Sequence, residues 1–600
     1  MNNGTVQSQT REIGSFKGFF SKWNLLILII IICSSLWMNF RGINNGLPSQ
    51  ERLQLSLGGA EAVEKMLPEI EAFNRQKKVI RSEFLDKNDR RNFIELARFS
   101  PYFDTIRSIN SDEFYILKTL AGMTMRRDIN PGSYIYGPFF IYQMGASLAV
   151  GEIIGYLPKE KNLNYFLTNP EKFVPFYMCP RILCAIYGTL AVLVTFLIAY
   201  RLGKTPLAAF ASAFLAFTPL LVLASKFIKA DTPTLFWSSL VLLFSMPILY
   251  RAKFRDYLLT GICIGLAAGC KYPAAFTAAY PITFHLLRKC SFLKKDNFSA
   301  KNFCTREELM LLGAGAISFI SFLLVCPSFI LDHEIFMKDM GWVLSVSNDG
   351  SILYNMFAIF VRVCYDGMFY TLGLPGVIAI IAGIIFTIIK PQKVWLGMLP
   401  TIILFLFLAS KGTPNSDAYL MPAFVPMVLL AGRAVLASRK VWLKSTFATI
   451  ILISVFSYAH AWNNVMAAEN SRISALRWIN ANIKQGSSIA TLRYPVLYRV
   501  PVPSPTKYNL QSEQIEGAKA LDADYYLHSS FQWTIPGLGD YVLGKDAEKT
   551  PSGFEKIIEI ENPPQAYFGL LSLKRPHRLN HYFEVVAPRI ILYKKQQTPK

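Results

Sequence analysis

The sequence predicts a polytopic α-helical membrane protein of about eleven transmembrane helices. It adds a large first exoplasmic loop and a small C-terminal α/β exoplasmic domain. Three observations predict this. Long apolar runs recur along the 600 residues, 52% of which are hydrophobic, with a mean hydropathy of +0.31. A run of about 20 such residues crosses a hydrocarbon core about 30 Å thick. The loops between runs alternate in their content of Lys and Arg. Beyond about residue 465 the runs stop and short β-rich stretches begin.

The first run, Trp23 to Phe40, follows Arg11, Lys17 and Lys22 and looks like a signal sequence. No small-residue cleavage site follows it, and Ile32 before Cys33 does not suit lipoprotein cleavage, so the expectation is an uncleaved signal-anchor. Further spans are read at 183–202, 205–224, 232–250, 256–270, 273–288, 309–330, 371–389, 395–410, 419–437 and 443–461. The 256–270 and 273–288 pieces are short enough to form a hairpin. Residues 138–157 are apolar too, but a span there would flip every later basic loop. They are therefore read as an interfacial or re-entrant helix.

The basic loops carry Arg201 and Lys204, Arg251 to Arg255, Arg288 to Arg306, Lys390 to Lys393 and Arg433 to Lys444. Retention of Lys and Arg in the cytoplasm orients the chain. The N-terminus is inside, and residues 41–182, 225–231, 331–370 and those after about 462 are outside. The domains follow as a cytoplasmic 1–22, a membrane domain over 23–464 and an exoplasmic domain over 465–600. Within 41–108, Ala60 to Phe73, Lys78 to Phe84 and Arg91 to Arg98 read as helices. In the tail, Ser471 to Ile483 reads as an amphipathic helix. Ser488 to Leu492, Tyr525 to Leu527 and Arg589 to Tyr593 read as strands.

The formal charge is +22, from 62 Lys and Arg against 40 Asp and Glu. Much of the excess lies in short loops beside spans, which argues against a nucleic-acid partner. Nine cysteines show neither a CxxC nor a Cys/His cluster at metal spacing, so neither a disulfide framework nor a zinc site is expected.

Two acidic motifs fall on the predicted outer face. Asp112-Glu113 lies in a polar loop, close to Asp128-Ile129-Asn130-Pro131 and Tyr134-Ile135-Tyr136-Gly137-Pro138. Adjacent carboxylates at a membrane surface suit a general base and its positioning partner; a solvated acidic turn is the plainer alternative. Asp231 stands at the mouth of a span, in Ser225 to Pro233. A charge entering a span marks a functional candidate, although capping of its helix accounts for it equally well. Lys271, between two apolar helices in Gly269-Cys270-Lys271-Tyr272-Pro273, suits a lipid-linked phosphate or snorkels to the interface. Lys411 and Arg181 are further phosphate candidates, Arg181 with an anchoring alternative.

In order and spacing these segments resemble the GT-C superfamily of polytopic glycosyltransferases. The likeness is to the branch holding protein O-mannosyltransferases, lipid A aminoarabinose transferases and bacterial relatives. It covers about 110–485 and rests on Ser111-Asp112-Glu113, Asp128 to Pro131, Tyr136 to Pro138, Arg181 to Ala185 and Ser225 to Pro233. It continues through Gly265 to Tyr272, Cys326 to Asp332, Tyr419 to Pro422 and Ser471 to Ile483. The insertion at 41–108 is longer than usual, and Ala418 stands where the family often has Arg, which puts a substrate contact there in doubt.

The resemblance implies an integral membrane enzyme, of a bacterial inner membrane, that moves a hexosyl or pentosyl group from a polyprenyl-phosphate donor to an acceptor hydroxyl with inversion. It implies Asp112 as base, Glu113 and Asp231 as orienting carboxylates, and Lys271, with Arg181 and Lys411, at the donor phosphate. Asn130, Tyr136 and Tyr272 are substrate-pocket candidates. No cofactor is required; a divalent metal has no supporting motif. The expected partners are the lipid-linked sugar, membrane lipids and an acceptor that is protein, lipid or glycan. The rival readings are a transporter or flippase and a non-catalytic assembly protein. Against the transporter stand the lack of an inverted repeat, the long outer loop and the outer tail. The orientation has a direct check: reporter fusions after residues 160 and 465 should both report outside, and a cytoplasmic signal at 160 would make 138–157 a span.

Overall fold

The computed structural model describes residues 21–76, 99–292, 306–345, 352–411, 416–492, 497, 500–512, 522–532, 551–573 and 581–596. The expected helices Lys78 to Phe84 and Arg91 to Arg98 lie outside the described residues, as does Cys304; the eight described cysteines are free.

Among the described residues, six helices are long and apolar enough to cross a membrane. They are Lys22–Phe40, Pro170–Ala216, Asp231–Arg251, Arg306–Val325, Ala418–Val435 and Val441–Asn482. Gly373–Ile389 and Lys393–Ala409 are apolar but shorter. The expected spans 183–202 and 205–224 are largely one helical run, Val174–Ala216, broken by non-helical dihedrals at Gly203 and Lys204 and followed by Pro219–Ala224. The 273–288 piece opens as a 3-10 turn, Tyr272–Ala278, because Pro273 withholds an amide donor. Residues 138–157 form the helix Pro138–Ile153, packed on the Val174–Ala216 and Phe254–Cys270 helices.

Two expectations need correction. The 331–370 stretch is not an open loop. It carries the helices His333–Ser345 and Ile352–Asp366 and a π-helical turn, Gly367–Thr371. Asp112-Glu113 is not in a loop either. The pair occupies the first turn of a helix, Ser111–Arg126, capped by Asn110, whose side chain accepts from the Asp112 amide at 3.1 Å. Carboxylates in a first turn face unpaired amides and the positive end of the helix dipole.

The helix before Lys271, Phe254–Cys270, packs closely on Arg306–Val325. Gly261, Gly265 and Gly269 lie four apart on its contact face. A Cβ on Gly265 would collide with the Ser318 carbonyl, and one on Gly261 with that of Ala314. Small residues at this spacing let two backbones approach within lipid. Gly137 has the same role in a turn: a Cβ there would meet the Gly269 carbonyl, two residues before Lys271.

The segment after the first span is organised by one arginine. Arg52 is 3% exposed and donates to the carbonyls of Gly46, Leu47, Asp104, Thr105 and Arg107. It thereby draws both ends of the loop together just ahead of Asn110. Burial lowers its pKa to about 10, partly offset by Asp104 and Tyr177.

The tail holds a five-stranded sheet in the order β2-β1-β3-β7-β4. β1 is Ser488–Thr491, β2 Asn509–Ser512, β3 Tyr525–Ser529, β4 Phe554–Ile560 and β7 Ile590–Lys595. β1 runs parallel to β2 and β3, while β7 is antiparallel to β3 and β4, with Leu527 opposite Leu592. Ala475, Ile479 and Ile483, from the helix Ser471–Asn482 and its C-cap, cover Ile489, Leu527, Ile590 and Leu592. A hairpin of β5 (Gln565–Ala566) and β6 (Leu571–Ser572) latches the tail to the helix Val441–Ala467. There the Tyr567 hydroxyl meets Ser454 Oγ at 2.9 Å.

The glycine contact generates a prediction. Gly265→Ala should destabilise the protein by about 1–3 kcal/mol through overpacking, read as a lower thermal midpoint in detergent. Gly313→Ala, on the opposing helix with nothing within 4 Å of an added Cβ, should not. Equal effects would remove the close approach as the cause.

Candidate active site

Glu113 organises one end of the helical bundle. Its carboxylate is fully buried and accepts from Arg181 Nε at 2.7 Å and Arg181 Nη2 at 2.6 Å. It also accepts from Ser108 Oγ at 2.5 Å and from the Ile228 amide at 2.9 Å. Arg181 Nη1 donates to the carbonyls of Ile43 and Asn45. A single ion pair therefore joins the chain after the first span, the acidic-pair helix, the Arg181 helix and the 225–231 loop. This changes two assignments. Arg181 is fully buried with its guanidinium committed to Glu113 and two carbonyls, so it is not placed to take a donor phosphate. The Glu113 carboxylate, expected to orient substrate, is likewise buried and engaged by Arg181, Ser108 and the Ile228 amide. The sequence carries a signal for its place, because Asn110 with Glu113 three residues on is a helix-start pattern.

Asp112, one residue earlier, points elsewhere. Its side chain is 30% exposed and pairs with Lys229 Nζ at 3.0 Å. Asp231 pairs with Lys271 Nζ at 2.6 Å, and that ammonium lies over the Tyr419 ring, 4.5 Å from its centroid. Ala230, not Asp231, occupies the cap position of the Asp231–Ser245 helix, so the carboxylate is directed at lysine rather than spent on a cap. Burial alone would lower the Lys271 pKa; Asp231, then Tyr419 and Asp112, outweigh it and hold it above the ordinary lysine value. Tyr136 closes the cluster and hydrogen-bonds Asp112. Burial first, and then the carboxylates of Asp112 and Asp231, push its pKa well above 10, so the phenol stays protonated and donates. Asp112, Asp231, Lys271 and Tyr136 are thus brought together from four separate stretches of sequence.

A network of polar side chains behind the cluster supports it. Asn130 Oδ1 accepts from the Tyr134 hydroxyl at 2.5 Å and from the Gly132 amide at 2.9 Å. The Tyr134 hydroxyl also reaches Asp332 at 2.6 Å, and Asp339 accepts from the Tyr134 amide at 2.7 Å. Tyr272 donates to the Tyr134 carbonyl at 2.9 Å, its ring packed against Phe336. Asn130 and Tyr272, expected in the substrate pocket, hold the 130–136 turn that presents Tyr136. Lys411 ends the helix Leu399–Lys411, but its side chain lies outside the described residues. Two members of the site, Lys229 and Tyr419, are not singled out by the sequence. Lys229 falls within Ser225 to Pro233, but no rule of spacing separates it from Lys226. Tyr419 stands in a motif that gives it no role.

The arrangement offers an accessible carboxylate, a second carboxylate, two ammonium groups and a phenol at one end of the bundle. That suits proton abstraction beside a developing anion. Among the described residues, no group of three or more His, Cys, Asp or Glu is placed to hold a metal ion.

Residues 143–325 match the family described as dolichyl-phosphate-mannose-protein mannosyltransferase. The matched segment contains Arg181, Lys229, Asp231 and Lys271; Asp112 precedes it. Solved structures of similar fold include the archaeal oligosaccharyltransferase AglB from Archaeoglobus fulgidus, in complex with an inhibitory peptide and a dolichol-phosphate. It is 13% identical, with 90% of this chain and 73% of that chain covered, at a TM-score of 0.43. Another is ArnT from Cupriavidus metallidurans bound to undecaprenyl phosphate, 13% identical, with 84% and 97% covered, at a TM-score of 0.40. No curated protein matches the chain.

The two acidic neighbours should behave differently on neutralisation. Glu113→Gln leaves a buried arginine without its counter-charge and should cost about 3–5 kcal/mol. Asp112→Asn loosens a partly exposed pair and should cost about 1 kcal/mol or less. Thermal unfolding in detergent reads both, and equal losses would refute the division of roles.

Proposed function

We propose that this protein is a membrane glycosyltransferase that moves a sugar from a polyprenyl-phosphate carrier to an acceptor hydroxyl at the exoplasmic face, with inversion. The observation that carries the reading is a partly exposed Asp112, itself paired with Lys229 and acting on Lys271, beside the Asp231–Lys271 pair, the latter within a segment that matches a lipid-phosphate-sugar transferase family. Asp112 accepts the acceptor's hydroxyl proton as the new C–O bond forms. The bond from the sugar carbon to the phosphate oxygen breaks, and its electron pair stays on the phosphate. Lys271 holds that charge, Asp231 orients Lys271, and Tyr136 donates to Asp112. Electrostatic stabilisation of a leaving group in a site poor in water is among the strongest means of catalysis open to an enzyme. The topology that accompanies this reading is the inside N-terminus, outside C-terminus and eleven spans, the shorter apolar helices included. The division into 1–22, 23–464 and 465–600 accompanies it too. The sugar, whether hexosyl or pentosyl, and the acceptor, whether protein, lipid or glycan, are to be assigned by assay.

The test is transfer in vitro by purified protein from radiolabelled polyprenyl-phosphate sugars. Asp112→Asn should lower turnover by about 10²–10⁴-fold, the usual share of general-base catalysis. Lys271→Ala should raise the apparent donor KM or abolish turnover. Near wild-type turnover in Asp112→Asn would reject the base, and a wild-type protein inert toward every such donor would favour the transporter reading.

A further inference from the structure

We propose that Lys229 is a second phosphate-binding residue, and that the donor's phosphate, by drawing Lys229 away from Asp112, uncovers the carboxylate that serves as base. The inference rests on the function proposed above and adds a residue and an order of events to it.

Four observations carry it. The cluster's two lysines are each paired with one of its two carboxylates, Lys229 with Asp112 and Lys271 with Asp231. These four described charges sum to zero, so a phosphate drawn to them shares or displaces these ammonium groups. Next, the two pairs belong to one electrostatic unit, since Asp112 also acts on Lys271, and Tyr136 feels both carboxylates. Third, the backbone that carries Lys229 is fixed. The Ile228 amide donates to Glu113 at 2.9 Å, and Thr232 Oγ1 donates to the Cys184 carbonyl at 3.0 Å. A four-carbon stem on a fixed backbone is able to move its ammonium between two nearby anions. Last, its neighbour Lys226 is excluded. That ammonium is fully buried and donates to the Met38 and Val222 carbonyls, away from the cluster.

The consequence for chemistry is an order. A carboxylate paired with an ammonium is a poor proton acceptor. While Lys229 stays on Asp112, the acceptor hydroxyl keeps its proton. Once the phosphate takes Lys229, Asp112 accepts that proton and the acceptor oxygen bonds to the sugar carbon. The electron pair of the broken C–O bond remains on a phosphate now held by Lys229 and Lys271.

A binding cycle on the full-length purified protein tests this without turnover. The probe is undecaprenyl phosphate, titrated into protein in nanodiscs, with inorganic phosphate run in parallel. Lys229→Met should weaken lipid binding by about tenfold or more, the worth of one charge-assisted hydrogen bond. Lys229→Arg should restore part of it. Asp112→Asn should tighten binding by roughly three- to tenfold, because Lys229 is released to the phosphate, and this gain should vanish when Lys229→Met is also present. A structural role for Lys229 would not produce that coupling. Tightening by Asp112→Asn that persists in the Lys229→Met background would be plain charge removal and would overturn the proposal. So would a cycle seen with inorganic phosphate and not with the lipid. Failure of the wild-type protein to bind the lipid overturns the functional reading as well. Binding that depends on Lys271 but is indifferent to Lys229 overturns this inference alone.

Discussion

The buried pair of Glu113 and Arg181 is the constraint on which this end of the bundle depends. Two fully desolvated charges are retained because every strong donor and acceptor on them is used. Such a pair is weak as a source of net stability but very costly to break from one side. What it supplies is geometry. The first turn of the Ser111–Arg126 helix and the 225–231 loop are both referenced to the same carboxylate, so Asp112 and Lys229 meet as a matter of construction.

Among the described residues, the two ion pairs in front of that pair cancel in charge. Isolated ionised groups at the membrane surface lose hydration, and mutual pairing offsets the loss. Lys271 gains a further contact from the Tyr419 face. Aromatic, carboxylate and ammonium groups thus balance one another in the resting protein. Net attraction for a phosphate has to come from redistribution among them rather than from a standing positive field. The polar network that runs from Asn130 through Tyr134 to Asp332 and Asp339 keeps Tyr136 pointed at this balance.

Much of the helical framework is legible in the sequence, because a hydrocarbon-length apolar run has few other uses. Helices stand where spans are read at Lys22–Phe40, Asp231–Ser245, Arg306–Val325 and Val441–Ala467. The tail helix at Ser471–Asn482 and the strand cores at Ser488, Tyr525 and Ile590 are legible from their periodicity. β4 escapes because Glu555, Lys556 and Glu559 make it read as a polar segment, although Phe554 is buried. In the site, Asp112, Asp231 and Lys271 stand out as charges beside apolar runs. Arg181 and Glu113 stand out for the same reason but belong to each other. Sequence reveals that two charges lie near the membrane; it does not reveal that they cancel. Partners 68 residues apart, as these are, become visible only once the chain is folded.

The tail is fastened to the segment after the first span across very long stretches of chain. Asn480 donates to the Leu55 carbonyl, 425 residues away, and Asn45 donates to the Met466 carbonyl, 421 residues away. The Leu497 amide reaches Asp104. At a synthesis rate of about 5–20 residues per second, the loop that presents Asp112 waits roughly 20–85 s for the helix that closes over it. During biosynthesis the acidic helix is therefore complete in sequence long before its surroundings exist. A ribosome that stalls before residue 466 leaves a chain whose first loop lacks all three of these supports.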